Sequence, residues 1–359
     1  MRIFDAFPFD GELDLLAYRL QETADLVDAF VLVEAGQTYR GTSKPLAFEE
    51  NRARFGWALN KIRHVKLPAL GSASSTPRER AAVQRNAAIL AIGDADPEDI
   101  VLLLDVDEVP SRSFLTRLRQ EGLDRPRRLQ MTRHYGFADL LGPRSSCCPP
   151  LEQPFPAALG WPRPSGWDNL EPFWHGHSGA AVPFWALRAS SAMELRFGLP
   201  LGDPIQAAGR HFSSVDPSAR LHRKLRRVFH AEWDGERETC EAHLDRCRAN
   251  GVHHRGWWYA ERPAGPIPDD VERLLRLHPT LAFGRSPPPR LKRLLVRTWA
   301  WVRLWKALPN EAVRLVDRHF ERMAPLLALP LLACEIGRRA AARLRSGSAG
   351  ADPQPGHHH

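Results

Sequence analysis

Five apolar residues, Ile100 to Leu104, run without interruption into Asp105-Val106-Asp107-Glu108. An apolar run this short, ended by charge, reads as a strand buried on both faces. Strands of that kind belong to sheets covered by helices on each side. In such α/β folds, ligands gather at the carboxyl ends of the strands. Two carboxylates two residues apart at that rim form a hard, oxygen-rich corner suited to Mg²⁺ or Mn²⁺ bridged to a diphosphate. An Asp-x-Asp triplet alone is not specific, since a solvated strand end has the same letters. The apolar approach and Glu108 sharpen it.

The rest of the chain repeats the pattern. Residues 2–7, 29–35, 61–67 and 127–137 are predicted strands. A helix carrying Leu13, Leu16, Leu20 and Val27 is expected after Asp10, read as its cap, with Glu12 and Asp14 in the first turn. Pro77 opens a second helix through Ile92, and a third starts near Ser111. Alternating strands and helices predict a largely parallel sheet. Residues 142–183 are too rich in Pro, Gly and Trp for regular elements. Trp161, Trp167, Phe173 and Trp174 there, with Trp185 just beyond, either line a sugar-binding surface or pack a second small core. Residues 218–233 return to helical character.

Charge divides the chain. From Arg285 to Arg345 there are 14 Arg+Lys against 4 Asp+Glu, a net of +10; the last 14 residues add −1, so the total of +8 leaves −1 for residues 1–284. The expected organisation is a catalytic domain over 1–284, a basic helical extension over 285–346, and a disordered tail over 347–359 whose final histidines resemble a tag remnant. In the extension, Leu291, Leu294, Leu295, Trp299, Val302 and Trp305 fall at helical spacing, with Arg293, Arg297 and Lys306 away from them. That composition suits a helix lying on an anionic membrane surface. It equally suits a helix packed on the catalytic domain. The apolar spacing disfavours a nucleic-acid partner. Five cysteines without zinc spacing point to a reducing compartment. With neither a signal peptide nor a membrane span in view, the expected location is cytoplasmic, peripheral on the inner membrane face.

Three blocks then go beyond composition. The first is Phe7-Pro-Phe9-x-x-Glu12-Leu-Asp14-x-Leu16-x-x-Arg19-Leu20, continuing through Val27-Asp28-x-Phe30-Val31-x-Val33-Glu34 to Thr38, Gly41 and Lys44-Pro-Leu46. The second is Gln84-Arg85-Asn86, leading to Asp99-Ile-Val and Asp105-Val-Asp-Glu-Val-Pro110. The third is Gly209-Arg-His211-Phe-Ser213, with Lys224-Leu and Phe229-His230-Ala-Glu232 downstream. In order and spacing these resemble glycosyltransferase family 17, with Arg210 where that family usually has Trp.

The resemblance implies a GT-A-like nucleotide-sugar-binding fold, a UDP-sugar donor (typically UDP-N-acetylglucosamine), a divalent metal (Mn²⁺ or Mg²⁺), and inversion at the anomeric carbon. Asp105, Asp107 and His211 are the implied metal ligands. Phe9, Glu12, Glu34, Lys44, Arg85 and Asp105 are the implied donor contacts. Inversion requires a carboxylate base, for which Glu232 and Asp203 are the candidates, with Glu108 a third. A cell-surface glycan or lipid-linked precursor is the expected acceptor. Two other classes use some of the same features: a metal-dependent phosphoryl or nucleotidyl transferase, and a non-catalytic membrane-surface protein. The first normally carries further phosphate-binding motifs, and no Gly-x-x-x-x-Gly-Lys-Ser/Thr loop is present.

Overall fold

The computed structural model describes residues 1–141, 177–199, 201–215, 218–225, 240–254, 260, 262, 265–283 and 288–303. Its strands are β1 (Ile3–Phe9), β2 (Ala29–Ala35), β3 (Ile62–Leu67), β4 (Ile100–Leu103), β5 (Glu108–Pro110), β6 (Arg127–Tyr135), β7 (Phe137–Leu141), β8 (His177–Pro183) and β9 (Ile205–Ser213). The helices are α1 (Leu13–Thr23), α2 (Ala47–Glu50), α3 (Pro77–Asn86), α4 (Arg112–Glu121), α5 (Phe184–Ala189), α6 (Ser218–Leu225), α7 (Glu241–Ala249), α8 (Asp269–Leu277) and α9 (Arg290–Arg303).

One sheet runs through them in the order β3-β2-β1-β4-β8-β6-β9-β5, with β7 beside β6. The first four strands are parallel. Beyond β4 the sheet is mixed: β8 runs antiparallel to β4 and to β6, β9 parallel to β6, and β5 antiparallel to β9. This is the α/β arrangement expected, with parallel pairing confined mainly to its first half.

Strand alternation decides the packing. On one face Ile3, Phe7, Phe9, Ile100, Leu102 and Leu104 meet Leu16 and Leu20 of α1 and Phe114 and Leu118 of α4. On the other, Phe4, Ala6, Val31, Val101 and Leu103 meet Ala87, Ile92, Phe184 and Leu187. Both faces of β1 and β4 are thus sealed, and only their ends reach solvent.

Local chemistry sets the helix starts. Thr76 and Glu79 form a reciprocal capping box at α3, with Pro77 in the first turn. Helix α1 corrects the expected cap: Glu12, not Asp10, is its N-cap residue, and it makes no side-chain capping bond. Instead Lys44 pairs with Asp10 at 2.7 Å and Lys224 with Glu12 at 3.2 Å, so both carboxylates serve the cleft described below. Strand β8 lies within the stretch expected to be irregular, and residues 142–176, with the four aromatics noted there, lie outside the described residues. Trp185 is about half exposed, at 47%.

The described part of the basic extension packs on the rest of the protein, one of the two courses expected for it. Leu294, Val296, Trp299 and Ala300 of α9 are buried. Arg293, expected on the polar side, is only 4% exposed and caps the carbonyls of Asn250, Gly251 and Ala260. Leu294 and Trp299 of the apolar stripe are therefore covered by protein, while the Leu291, Val302 and Trp305 side chains lie outside the described residues. Arg293 is buried because a guanidinium can end a loop's unpaired carbonyls as readily as it can meet a phosphate. No described helix is long and apolar enough to cross a membrane.

Candidate active site

Because β1, β2 and β4 are parallel, their carboxyl ends share one edge, and a cleft of about 170 Å³ opens there. Pro8 and Phe9 end β1, Gln37 to Tyr39 follow β2, and Asp105 to Asp107 follow β4. Asp10, Glu12, Lys44, Gln84, Arg85, His211 and Lys224 complete the lining.

The carboxylate loop is clamped from behind. Arg19 of α1 is wholly buried and holds Asp5 of β1 through both arms of its guanidinium. Its remaining donors reach the carbonyls of Asp105 at 2.9 Å and Glu108 at 2.7 Å. The loop cannot shift without breaking these bonds.

The two aspartates have different partners. Asp105 is gripped through one oxygen by Arg85 at 2.5 Å and through the other by Arg196 at 2.7 Å. Burial raises its pKa, but Arg196 and Arg85 outweigh burial and hold it far below the ordinary carboxylate range. Arg196 also pairs with Glu108 at 2.9 Å and donates to the Leu103 carbonyl at 2.8 Å. Gly179 of β8, at φ +56°, makes room for it: a Cβ there would lie 2.8 Å from the Leu103 carbonyl and 3.1 Å from the Arg196 guanidinium.

Asp107 faces the cleft. Lys224 approaches one of its oxygens at 3.1 Å, and the His211 ring lies 3.9 Å from the other. His211 is brought there by β9, whose His211 pairs across from Glu108 while the Phe212 amide donates to the Asp107 carbonyl at 2.8 Å. Gly209 permits the approach, since a Cβ would come within 2.2 Å of the Val109 carbonyl oxygen. Ser178 stands 3.2 Å from the other ring nitrogen of His211. Burial lowers the His211 pKa despite Asp107 and Glu108, which favours the neutral, ligand-competent ring. Its neighbour Arg210 points to the opposite side of the strand and pairs with Asp270 of α8, so this departure from the family pattern ties the sheet to a helix.

Several expected site residues come together: Phe9, Glu12, Lys44, Arg85, Asp105, Asp107 and His211 line one cleft. Others do not. Glu34 is fully buried, accepting from the Phe48 amide at 2.8 Å with His64 at 3.2 Å, and it braces β2 instead of touching the cleft. Asp203 is exposed, lies ahead of β9 and is not among the residues lining the cleft. Glu232 lies outside the described residues. Glu108 is committed to Arg196 and to the Asp105 amide.

Asp105 spends one lone pair of each oxygen on a guanidinium, and its side chain, 33% exposed, still lines the cleft. Among the described residues no group of three His, Cys, Asp or Glu side chains is arranged to hold an ion. Asp107 and His211 are the residues that would hold one, leaving room for further oxygen ligands.

Fold and cleft together define an α/β protein with an acidic, cation-compatible site at the strand ends. The glycosyltransferase family 17 pattern matches residues 1–140, which bears out the resemblance drawn from the first two sequence blocks; the third lies beyond the match. Beta-1,4-mannosyl-glycoprotein 4-beta-N-acetylglucosaminyltransferases of Rattus norvegicus and Homo sapiens are each 29% identical over 146 residues, covering 38% of this chain and 27% of theirs. The chain thus spans about a quarter of the length of these relatives. Among solved structures, 4-diphosphocytidyl-2C-methyl-D-erythritol synthase is similar at 14% identity and TM-score 0.31, over 62% of this chain and 98% of its own. Glucosyl-3-phosphoglycerate synthase from Mycobacterium tuberculosis is similar at 16% identity and TM-score 0.30, over 59% and 70%. Likenesses this loose carry no weight for function.

Proposed function

We propose that this chain transfers a sugar, N-acetylglucosamine being the favoured one, from a UDP-linked donor to a hydroxyl of a glycan or lipid-linked acceptor, with inversion and with a divalent cation at Asp107 and His211. The carrying observation is the charge of the cleft. Its lining has four carboxylates (Asp10, Glu12, Asp105, Asp107) and three fixed cations (Lys44, Arg85, Lys224), so 3 − 4 leaves −1 with His211 neutral. A diphosphate entering a net-negative cleft is repelled unless a cation comes with it. A bound Mn²⁺ or Mg²⁺ supplies that charge and acts as a Lewis acid toward the departing diphosphate.

The chain's own residues do the rest. Arg85, Lys44 and Lys224 offer donors to phosphate and ribose oxygens. Phe9 and Tyr39 wall the cleft against water. Arg19 and Arg196 hold the carboxylate loop still while charge develops, the kind of preorganisation on which electrostatic catalysis depends. The matched N-acetylglucosaminyltransferases support the choice of sugar. Glu232 is the proposed base, with Asp203 the alternative.

Calorimetry with UDP tests the donor half: binding is expected with Mn²⁺ and lost in EDTA. Hydrolysis or transfer assays across UDP-sugars then test the sugar. Unchanged UDP affinity in EDTA removes the cation from the function, and tight binding of a nucleoside triphosphate with no UDP binding replaces glycosyl transfer by nucleotidyl transfer.

A further inference from the structure

Lys224 occupies an unusual position. Its ammonium lies 3.1 Å from Asp107 and 3.2 Å from Glu12, on the carboxylate that also faces His211. It is one of six lysines in a chain whose other 44 cationic residues (50 − 6) are arginines. The difference matters chemically. Arg85 and Arg196 are planar forks, nearly buried at 8% and 5%, and locked by several bonds each. An ammonium is a compact point charge on a flexible four-carbon stem. The Lys224 side chain is 28% exposed and enters from the end of α6, so it can withdraw without disturbing the sheet.

The ammonium and a divalent ion compete for one carboxylate. Asp107 Oδ2 cannot serve both at close range, because a monovalent and a divalent charge about 4 Å apart repel by several kcal/mol at the effective dielectric of a protein surface. Without the lysine, Asp107 and Glu12, 9% and 11% exposed, face each other uncompensated.

We propose that Lys224 is a placeholder cation: it neutralises Asp107 and Glu12 in the empty cleft, and is displaced from Asp107 onto the donor's diphosphate oxygens when the divalent ion arrives. This rests on the donor reading of the cleft given above. It makes Lys224 a donor-binding residue and a brake on metal binding in the absence of donor. Ion and nucleotide then load together, each favouring the other, because the diphosphate gives the displaced ammonium a new partner.

The test uses the full chain with Mn²⁺ alone, followed by electron paramagnetic resonance, and with UDP, followed by calorimetry. Lys224→Met removes the charge. Lys224→Gln removes it while keeping a donor for the two carboxylates, and so guards against misfolding, which circular dichroism checks. Both variants are expected to bind free Mn²⁺ at least about tenfold more tightly than wild type, and UDP with Mn²⁺ about tenfold more weakly. Folded variants with unchanged or weaker Mn²⁺ affinity, beside a wild type that binds UDP with Mn²⁺, overturn the proposal alone. A wild type that binds no UDP with Mn²⁺ or Mg²⁺ overturns the donor reading, and the placeholder with it.

Discussion

Replacing Arg19 by methionine isolates the clamp behind the carboxylate loop. Arg19 and Asp5 are both 0% exposed, so the substitution leaves a carboxylate buried without its counter-ion. Breaking a buried pair from one side costs about 3–5 kcal/mol. The carbonyls of Asp105 and Glu108 also lose their charged donor, at about 1 kcal/mol each after solvent exchange. The expected loss is therefore about 5–7 kcal/mol, comparable with the whole stability of many domains. Removing both charges in Asp5→Leu/Arg19→Met spares the first cost and keeps the second, so the double variant is expected to lose only about 2 kcal/mol. Urea unfolding followed by tryptophan fluorescence measures both; the chain has 11 tryptophans. UDP binding is expected to stay impaired even in the stable double variant, because the loop is no longer held. A single variant that loses less than about 1 kcal/mol, or a double no more stable than the single, refutes the clamp.

Asp107→Asn is expected to abolish Mn²⁺-dependent UDP binding, while Asp105→Asn keeps Mn²⁺ binding near wild type and lowers stability by about 2 kcal/mol through the two freed arginines; equal loss of Mn²⁺ in both, read by paramagnetic resonance, contradicts the division of roles. Burial drives the pKa of His134, stacked on Phe212, from 6.5 down to about 3, so the folded form refuses a proton that the unfolded form accepts. Its contribution is intact above pH 6.5 and is lost as pH falls toward 3, reaching about 3 kcal/mol near pH 4.5. His134→Asn, which can retain the donor to the Ala138 carbonyl, is expected to flatten that acid limb in urea titrations across pH, and an unchanged slope counts against it. Gly209→Ala puts a Cβ 2.2 Å from the Val109 carbonyl and is expected to cost about 1–3 kcal/mol and to move His211 off Asp107; a crystal structure with β5 and β9 unmoved and full UDP affinity rejects that account.

Strands β2 and β4 in the floor of the cleft were legible because each is an apolar run ended by charge or glycine. The expected 29–35, 61–67 and 100–104 correspond to β2, β3 and β4 within a residue. Strands β8 and β9 were not: His177-Ser-Gly-Ala-Ala-Val-Pro183 and Ile205-Gln-Ala-Ala-Gly-Arg-His-Phe-Ser213 lack both bulk and strict alternation. Their glycines and alanines reflect close approach to Leu103, Leu104 and Val109, which only the assembled sheet reveals. The capping box at Thr76 was a signal available and not taken up. Within the site, Asp105, Asp107, Arg85 and His211 could be found from motifs, whereas Asp5 and Arg196 could not, and Arg19 stood in the first motif with no role attached to it. Their roles depend on contacts 86 to 93 residues apart, as in Arg19 to Asp105 and Arg196 to Leu103. An arginine in an amphipathic helix reads the same whether it faces water or a buried carboxylate. Glu34 shows the converse, a carboxylate in the right neighbourhood of the sequence and the wrong place in space.

The insertion of β8 between β4 and β6 has a consequence for synthesis. Strand β4, every residue at most 5% exposed in the finished protein, has β1 on one side at once, but its other edge waits for residues some 80 positions later, Val101 pairing with Val182. A nascent chain that has emerged only through β6 therefore carries half a sheet with a bare apolar edge, the kind of edge that recruits other chains. His211 is later still. The ribosome delivers the aspartates early and their histidine last, so the chain passes through a stretch of its own synthesis in which the corner is present but cannot yet grip a cation between Asp107 and His211. Chaperone occupancy on ribosome-bound chains should peak over that interval and fall once β9 has docked.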